Sequence, residues 1–251
     1  MIEILATHGV VEQCRENRFG HKNLVDIEWF STFLKSTQKC VPLAAALQGH
    51  GKALTIDDVT LFINPWQIEA GRPYPASRMD ALLDQVDVHD YSWDGRDFHL
   101  DTVKGKRAFR TRVKEAIRRH TAPEENERLL EELERGLGVS WADLPGHMRC
   151  LTFKEVERLR DIGVQVENHY WTHLDPWAHS PTQFAAECGK AKRWLSGSLG
   201  ISSRFFASPF GEFVPSSEFL QQNETVCLLL HDGLPSGMVA ERIINRITLK
   251  A

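Results

Sequence analysis

The second half of the chain repeats one unit, a short apolar run followed by a capped helix, and this repetition restricts the fold more than any other feature. Thr152-Phe153-Lys154-Glu155 has the capping-box pattern and predicts a helix that Gly163 ends. Residues 164–166 read as a strand. Ser180-Pro181-Thr182-Gln183 starts the next helix, with proline at its first position, and the pattern runs to about Leu195. Residues 205–207 (strand), 216–222 (helix), 227–230 (strand) and 243–249 (last strand) continue the alternation. Short buried strands separated by helices imply a parallel α/β sheet or barrel. A chain of 251 residues is long enough to build it as one large domain with a full core. In such folds the chemistry lies beyond the C-terminal ends of the strands.

The first half follows the rule less evenly. Residues 2–6 read as the first strand. Residues 24–36 read as a helix, with Trp29, Phe30, Phe33 and Leu34 on one face. A further helical stretch starts at residues 78–83. Residues 104–120 and 123–137 form a charged helical pair inserted into the alternation, with Thr121-Ala122-Pro123-Glu124 between them as a second capping box. The cationic run over residues 107–119 reads as a solvated helix face. One junction breaks the pattern. Residues 53–56 and 59–63 both read as strands, yet only Asp57-Asp58 lies between them. Adjacent parallel strands need a crossover of about a dozen residues or more. The expectation is therefore either a real deletion in the protein or, the reading favoured, about 20 further residues of the natural chain between Asp58 and Val59.

That junction also holds the first chemical signal. Asp57 and Asp58 end one strand, and His169 and His173 follow another, in Glu167-Asn168-His169-Tyr170-Trp171-Thr172-His173. Two histidines four apart have metal-ligand spacing, and one carboxylate with two imidazoles suits a divalent ion with open positions. The second carboxylate can then serve as a base toward the attacking water. Taken alone, an Asp-Asp pair is as often a turn or helix cap, and two histidines are more often surface or core residues. Their placement at the ends of two strands favours chemistry. Asp175 either orients a ligating histidine or caps the turn at Pro176.

These residues carry a resemblance. Thr55-Ile56-Asp57-Asp58 resembles the TFDD motif of the polysaccharide deacetylases, the NodB-like carbohydrate esterase family four. Asn168 to His173 resembles the family's histidine motif, Phe206-Ala207-Ser208-Pro209-Phe210-Gly211 its third motif, Ile4 to Val11 its opening strand and Asn245-Arg246-Ile247 its closing one. The resemblance implies a distorted (β/α) barrel of roughly seven parallel strands and a metal-dependent hydrolase that removes N-acetyl or N-formyl groups from a sugar. It implies Asp58, His169 and His173 as ligands of Zn²⁺, with Co²⁺, Fe²⁺ or Ni²⁺ also suited, and Asp57 as the base. A backbone N–H of Pro209-Phe210-Gly211 would stabilise the oxyanion. His231, after Leu228-Leu229-Leu230, is the candidate acid, with His8 the other. Ala207 departs from the pattern, because many members carry an arginine there that holds the base. Trp66, Trp171 and Trp177 read as core or rim aromatics, or as platforms for a pyranose. The alternatives are hydrolysis of a non-sugar C–N bond, or a catalytically silent sugar-binding protein.

Composition bounds the setting. A formal net charge of −4 gives no reason to expect nucleic acid as a partner. The expected partner is a sugar or glycan precursor, and nothing in the sequence signals an oligomeric state. Five cysteines without a CxxC pattern read as reduced thiols. With no signal-peptide pattern and no apolar run approaching the roughly 20 residues of a transmembrane segment, the expected location is cytoplasmic.

Overall fold

The structure is a computed structural model and describes residues 4–6, 9–11, 24–26, 53–55, 60–140, 150–161, 164–229, 237–245 and 247–248. Its centre is a mainly parallel α/β assembly. One set of strands runs β5 (Thr60–Ile63), β8 (Gln165–Asn168), β9 (Phe205–Ala207), β10 (Val226–Leu229) and β12 (Ile243–Asn245), all parallel, with β11 (Gly237–Ala240) antiparallel on the outer side of β12. A second set places β1 (Ile4–Ala6) between β13 (Ile247–Thr248) and β4 (Ala53–Thr55), again parallel. Only Arg246 separates β12 from β13, so the chain leads directly from one set into the other.

The helices form where their caps predict. α1 (Pro65–Ala70) starts with proline, and α5 (Phe153–Asp161) starts at Thr152, whose N–H donates to Glu155 Oε2 at 2.8 Å. α6 (Pro181–Leu199) has a full box at its start: Ser180 N–H donates to Gln183 Oε1 at 2.9 Å, and Gln183 N–H donates to Ser180 Oγ at 3.3 Å. α7 (Ser217–Gln222) is capped by Ser216. Between α4 (Pro123–Leu137) and its predecessor the cap is shifted by one residue from the pattern read in the sequence. Glu125, not Glu124, reaches back, and accepts from the N–H groups of Thr121 at 2.8 Å and Ala122 at 2.9 Å.

The charged helical pair, α3 (Val103–Ile117) and α4, packs with α2 (Pro75–Gln85) and a hairpin of β6 (Asp90–Trp93) and β7 (Arg96–His99). These elements share their own apolar cluster, which includes Leu82, Leu83, Phe109, Val113, Leu130 and Leu133. The hairpin turns on Asp94 and Gly95, both at positive φ (51° and 70°), the backbone an Asp-Gly turn favours. Arg78, fully buried on α2, ties α4 down with hydrogen bonds of 2.8 Å to Glu127 and 2.8 Å to Glu134. Two other clusters lie under the parallel strands. One joins Tyr170, Phe184, Phe206 and Cys227, the other Ile63, Val156, Val166 and Leu195.

Two expectations are corrected. Leu24–Asp26 is not the start of a helix but β3, paired in parallel with β2 (Gly9–Val11), because a partner strand is available to an apolar run that local periodicity alone assigns to a helix. The cationic face of α3 is not simply solvated. Arg110 pairs with buried Asp80, Arg112 with Asp94 and Glu115, and Arg118 with Asp175 and Glu212.

Residues 56–59 lie outside the described set. On either side of them, β4 pairs with β1 and β5 with β8, and the described residues of β4 and β5 form no ladder with each other. The intact mass of the natural protein is expected to exceed the 28.6 kDa of this sequence. A mass of 28.6 kDa would show the junction to be contiguous.

Candidate functional site

The site is assembled where β8 runs out. His169 N–H still belongs to the ladder and donates to Ile63 O at 3.0 Å, so the first histidine leaves the strand in a fixed direction. The loop that follows is held from below. Asn64, fully buried, donates its side-chain N–H groups to the carbonyls of His169 and Tyr170, the second at 3.2 Å, and Trp66 N–H donates to Trp171 O at 3.0 Å. Tyr170 sits at φ +79°, strained for a bulky residue, and the surroundings enforce it. Its N–H donates to Asn168 Oδ1 at 2.7 Å and its ring stacks on Phe184 at 5.5 Å. Its hydroxyl donates to His179 Nδ1 at 2.6 Å, because His179 Nε2–H is committed to Thr121 O at 3.1 Å. Burial raises the pKa of this phenol, so it remains a donor across the working range.

This loop brings His169 and His173 together, with ring centroids 5.0 Å apart and planes at 71°. Both rings are half-buried. His169 Nδ1 lies 2.8 Å from Ala207 O. A carbonyl only accepts, so Nδ1 carries the proton and Nε2 the lone pair. Ala207 thus has a role that its side chain does not suggest: its carbonyl orients a histidine from the end of the next strand. Around His173 stand two rings in edge-on contact, Tyr74 at 5.4 Å and Phe210 at 5.1 Å. Phe210 is at φ +60° in the turn Pro209–Gly211, where Gly211 N–H donates to Ser208 O at 3.0 Å.

Asp175 is the cap and not an orienter of a histidine. Its Oδ1 accepts from Trp177 N–H at 3.1 Å, and its Oδ2 accepts from Arg118 Nε at 2.5 Å. Arg118 also donates to Glu212 at 3.1 Å and lies 4.9 Å from the centre of the Phe210 ring. The inserted helix α3 therefore fastens the histidine loop to the Phe210 loop. Burial alone would lower the pKa of Arg118, but the two carboxylates offset this and leave it raised. Of the three tryptophans, Trp171 is buried with Lys190 4.0 Å above it, Trp66 is half-buried, and Trp177 is 64% exposed with its edge against Phe213.

Asp57, Asp58, His8 and His231 lie outside the described residues. Among the described residues no group of three His, Cys, Asp or Glu side chains gathers as a metal site, and His169 with His173 is the pair that the structure brings together. The sequence reading overlooked Asn64, Tyr74 and Arg118. Asn64 left a trace, an asparagine before proline at a strand end. Arg118 left none, because its partner Asp175 is 57 residues away.

Comparison with known proteins places this geometry. Residues 144–225, which include both histidines and the Phe210 turn, match the polysaccharide deacetylase family. The structure resembles that of IcaB from Ammonifex degensii, with a TM-score of 0.50 and 14% identity over 99% of this chain and 91% of that one. It equally resembles a de-N-acetylase from Aggregatibacter actinomycetemcomitans, with a TM-score of 0.50 and 13% identity over 99% and 95%. At such identities the likeness is one of fold. No curated protein matches the sequence. Residues 144–225 are thus similar to the polysaccharide deacetylases, and the chain shares the NodB-type α/β fold of these two solved structures.

Proposed function

We propose that the protein is a metal-dependent hydrolase that removes an N-acetyl or N-formyl group from a sugar or glycan precursor. The observation that carries this reading is the histidine pair at the end of β8, with the His169 ring set by Ala207 O. The donor set fits a divalent ion, because a hydrogen bond from Nδ1 to a carbonyl fixes the tautomer of a ligating imidazole. Asp58, His169 and His173 would hold the ion, Zn²⁺ first among those suited. When bound, it supplies Lewis acidity toward the acyl oxygen and makes water more acidic.

The chain's own residues do the rest. Asp57 accepts the proton of the attacking water. Pro209 has no N–H and that of Gly211 is engaged by Ser208 O, so Phe210 N–H is the loop's donor to the developing oxyanion. The amide C–N bond then breaks, and His231 or His8 returns a proton to the leaving amine. Trp177, open to solvent beside the histidine loop, offers a face for a pyranose. A reducing, cytoplasmic setting is part of this reading, and burial pushes the Cys188 thiol pKa well up, away from reactivity. No helix among the described residues is long and apolar enough to cross a membrane.

The test is release of acetate or formate from a panel of N-acylated sugars, free, nucleotide-linked, lipid-linked and polymeric. Release from at least one class is expected. Release from none, with the protein folded and loaded with Zn²⁺, Co²⁺, Fe²⁺ or Ni²⁺ in turn, would favour a silent sugar-binding protein.

A further inference from the structure

The inserted helix α3 and its C-cap residue, Arg118, set Arg110, Lys114 and Arg118 at four-residue spacing, on one face. Three carboxylates, Asp80, Asp175 and Glu212, stand opposite them. Each is bonded to an arginine: Asp80 to Arg110, Asp175 and Glu212 to Arg118. Lys114 has no carboxylate at hydrogen-bond distance among the described residues. Its ammonium lies 5.6 Å from the centre of the Phe210 ring instead. Phe210 in turn packs edge-on against His173 at 5.1 Å. One aromatic ring is thus the contact that Lys114 and His173 share, and Arg118 lies against the same ring at 4.9 Å. Lys114 is solvent-exposed, so a ligand can reach it from outside. Partial burial of the ammonium lowers its pKa, and the charges of Arg110 and Arg118 lower it further, against the opposite pull of Glu212 and Asp80. A cation so placed is stabilised by an anion brought in with a ligand. An ammonium is a compact point charge with three rotatable donors, suited to an oxyanion approaching from any direction.

We propose that Lys114 is a specificity-determining residue of the site, which reads a phosphate or carboxylate group on the substrate beside the N-acyl sugar. The proposal rests on the deacylase reading above and adds the substrate class: an anionic glycan or glycosyl phosphate in preference to a neutral one. It also gives the helical insertion a function, since α3 and its C-cap supply both the arginine against Phe210 and the charge at the rim.

The experiment compares three N-acetylhexosamine substrates: a neutral oligosaccharide, a glycosyl phosphate and a uronate-containing disaccharide. For each, kcat/KM is measured for the wild type, Lys114→Gln and Lys114→Arg, at low and high salt. The wild type is expected to favour at least one anionic substrate. Lys114→Gln is expected to lower the anionic-to-neutral ratio about five- to tenfold, mainly through KM, as fits loss of a partly screened ion pair. Lys114→Arg restores most of it. High salt lowers the ratio of the wild type but not that of the glutamine variant. A fall with the glycosyl phosphate alone identifies a phosphate reader, and a fall with the uronate alone a carboxylate reader. A ratio that is the same in all three proteins overturns the proposal. If none of the substrates is turned over, the deacylase reading fails, and equilibrium binding of the glycosyl phosphate decides the charge reading separately. Tighter binding by wild type than by Lys114→Gln supports it, and equal affinity overturns it.

Discussion

Replacing Asp57 with asparagine is expected to lower kcat by on the order of 10²–10⁴, the usual range for loss of a general base. The two aspartates at the end of β4 are alike chemically but are assigned different work. Asp58, as the proposed metal ligand, would give its charge to the ion and be a poor base. Asp57, as the proposed base, would keep a basic lone pair for the proton of the attacking water. Asparagine preserves the size of Asp57 and removes that lone pair, so KM should change little, because the lost interaction matters in the transition state. Metal content should stay at the wild-type level. Steady-state kinetics together with elemental analysis check this. Turnover within a few-fold of wild type, with metal retained, would move the base to His8 or His231.

The second large effect concerns His169. His169→Ala removes a proposed ligand and the ring that Ala207 O orients. Loss of an outer-shell partner typically costs 10–100-fold in metal affinity or activity, so loss of the ligand itself should exceed about 100-fold in affinity. Activity should fall with it and return only in part at high metal concentration. The fold should survive, because His169 is half-buried while the loop around it is held by Asn64, Asn168 and Tyr170. Metal titration of wild type and variant measures the difference. Equal affinity would remove His169 from the ligand set. The same comparison for Asp58→Ala and His173→Ala completes the assignment.

Much of this arrangement was legible in the sequence, for physical reasons that differ from place to place. The parallel strands β8, β9 and β10, the caps of α5 and α6 and the short helix α7 are local signals, and the structure bears them out. The histidine pair was legible because its spacing and its position after a strand are both properties of one segment. The Asp94-Gly95 hairpin was equally local and was missed, although an Asp-Gly pair between apolar residues is a strong turn signal. β3 was misread because strand pairing is decided by a partner elsewhere in the chain. Arg118 and Tyr74 were not legible at all. Their contacts with Asp175 and His173 span 57 and 99 positions, and no pattern within one segment encodes them. The positive φ of Tyr170 and Phe210 is also a tertiary outcome, since neither side chain favours it.

The most direct test of the central claim is acetate or formate release by the purified protein before and after its metal is removed with a chelator. The account predicts that the stripped protein loses turnover of its N-acyl sugar and recovers it when one equivalent of Zn²⁺, or another suited divalent ion, is returned. Full turnover by the stripped protein would contradict it.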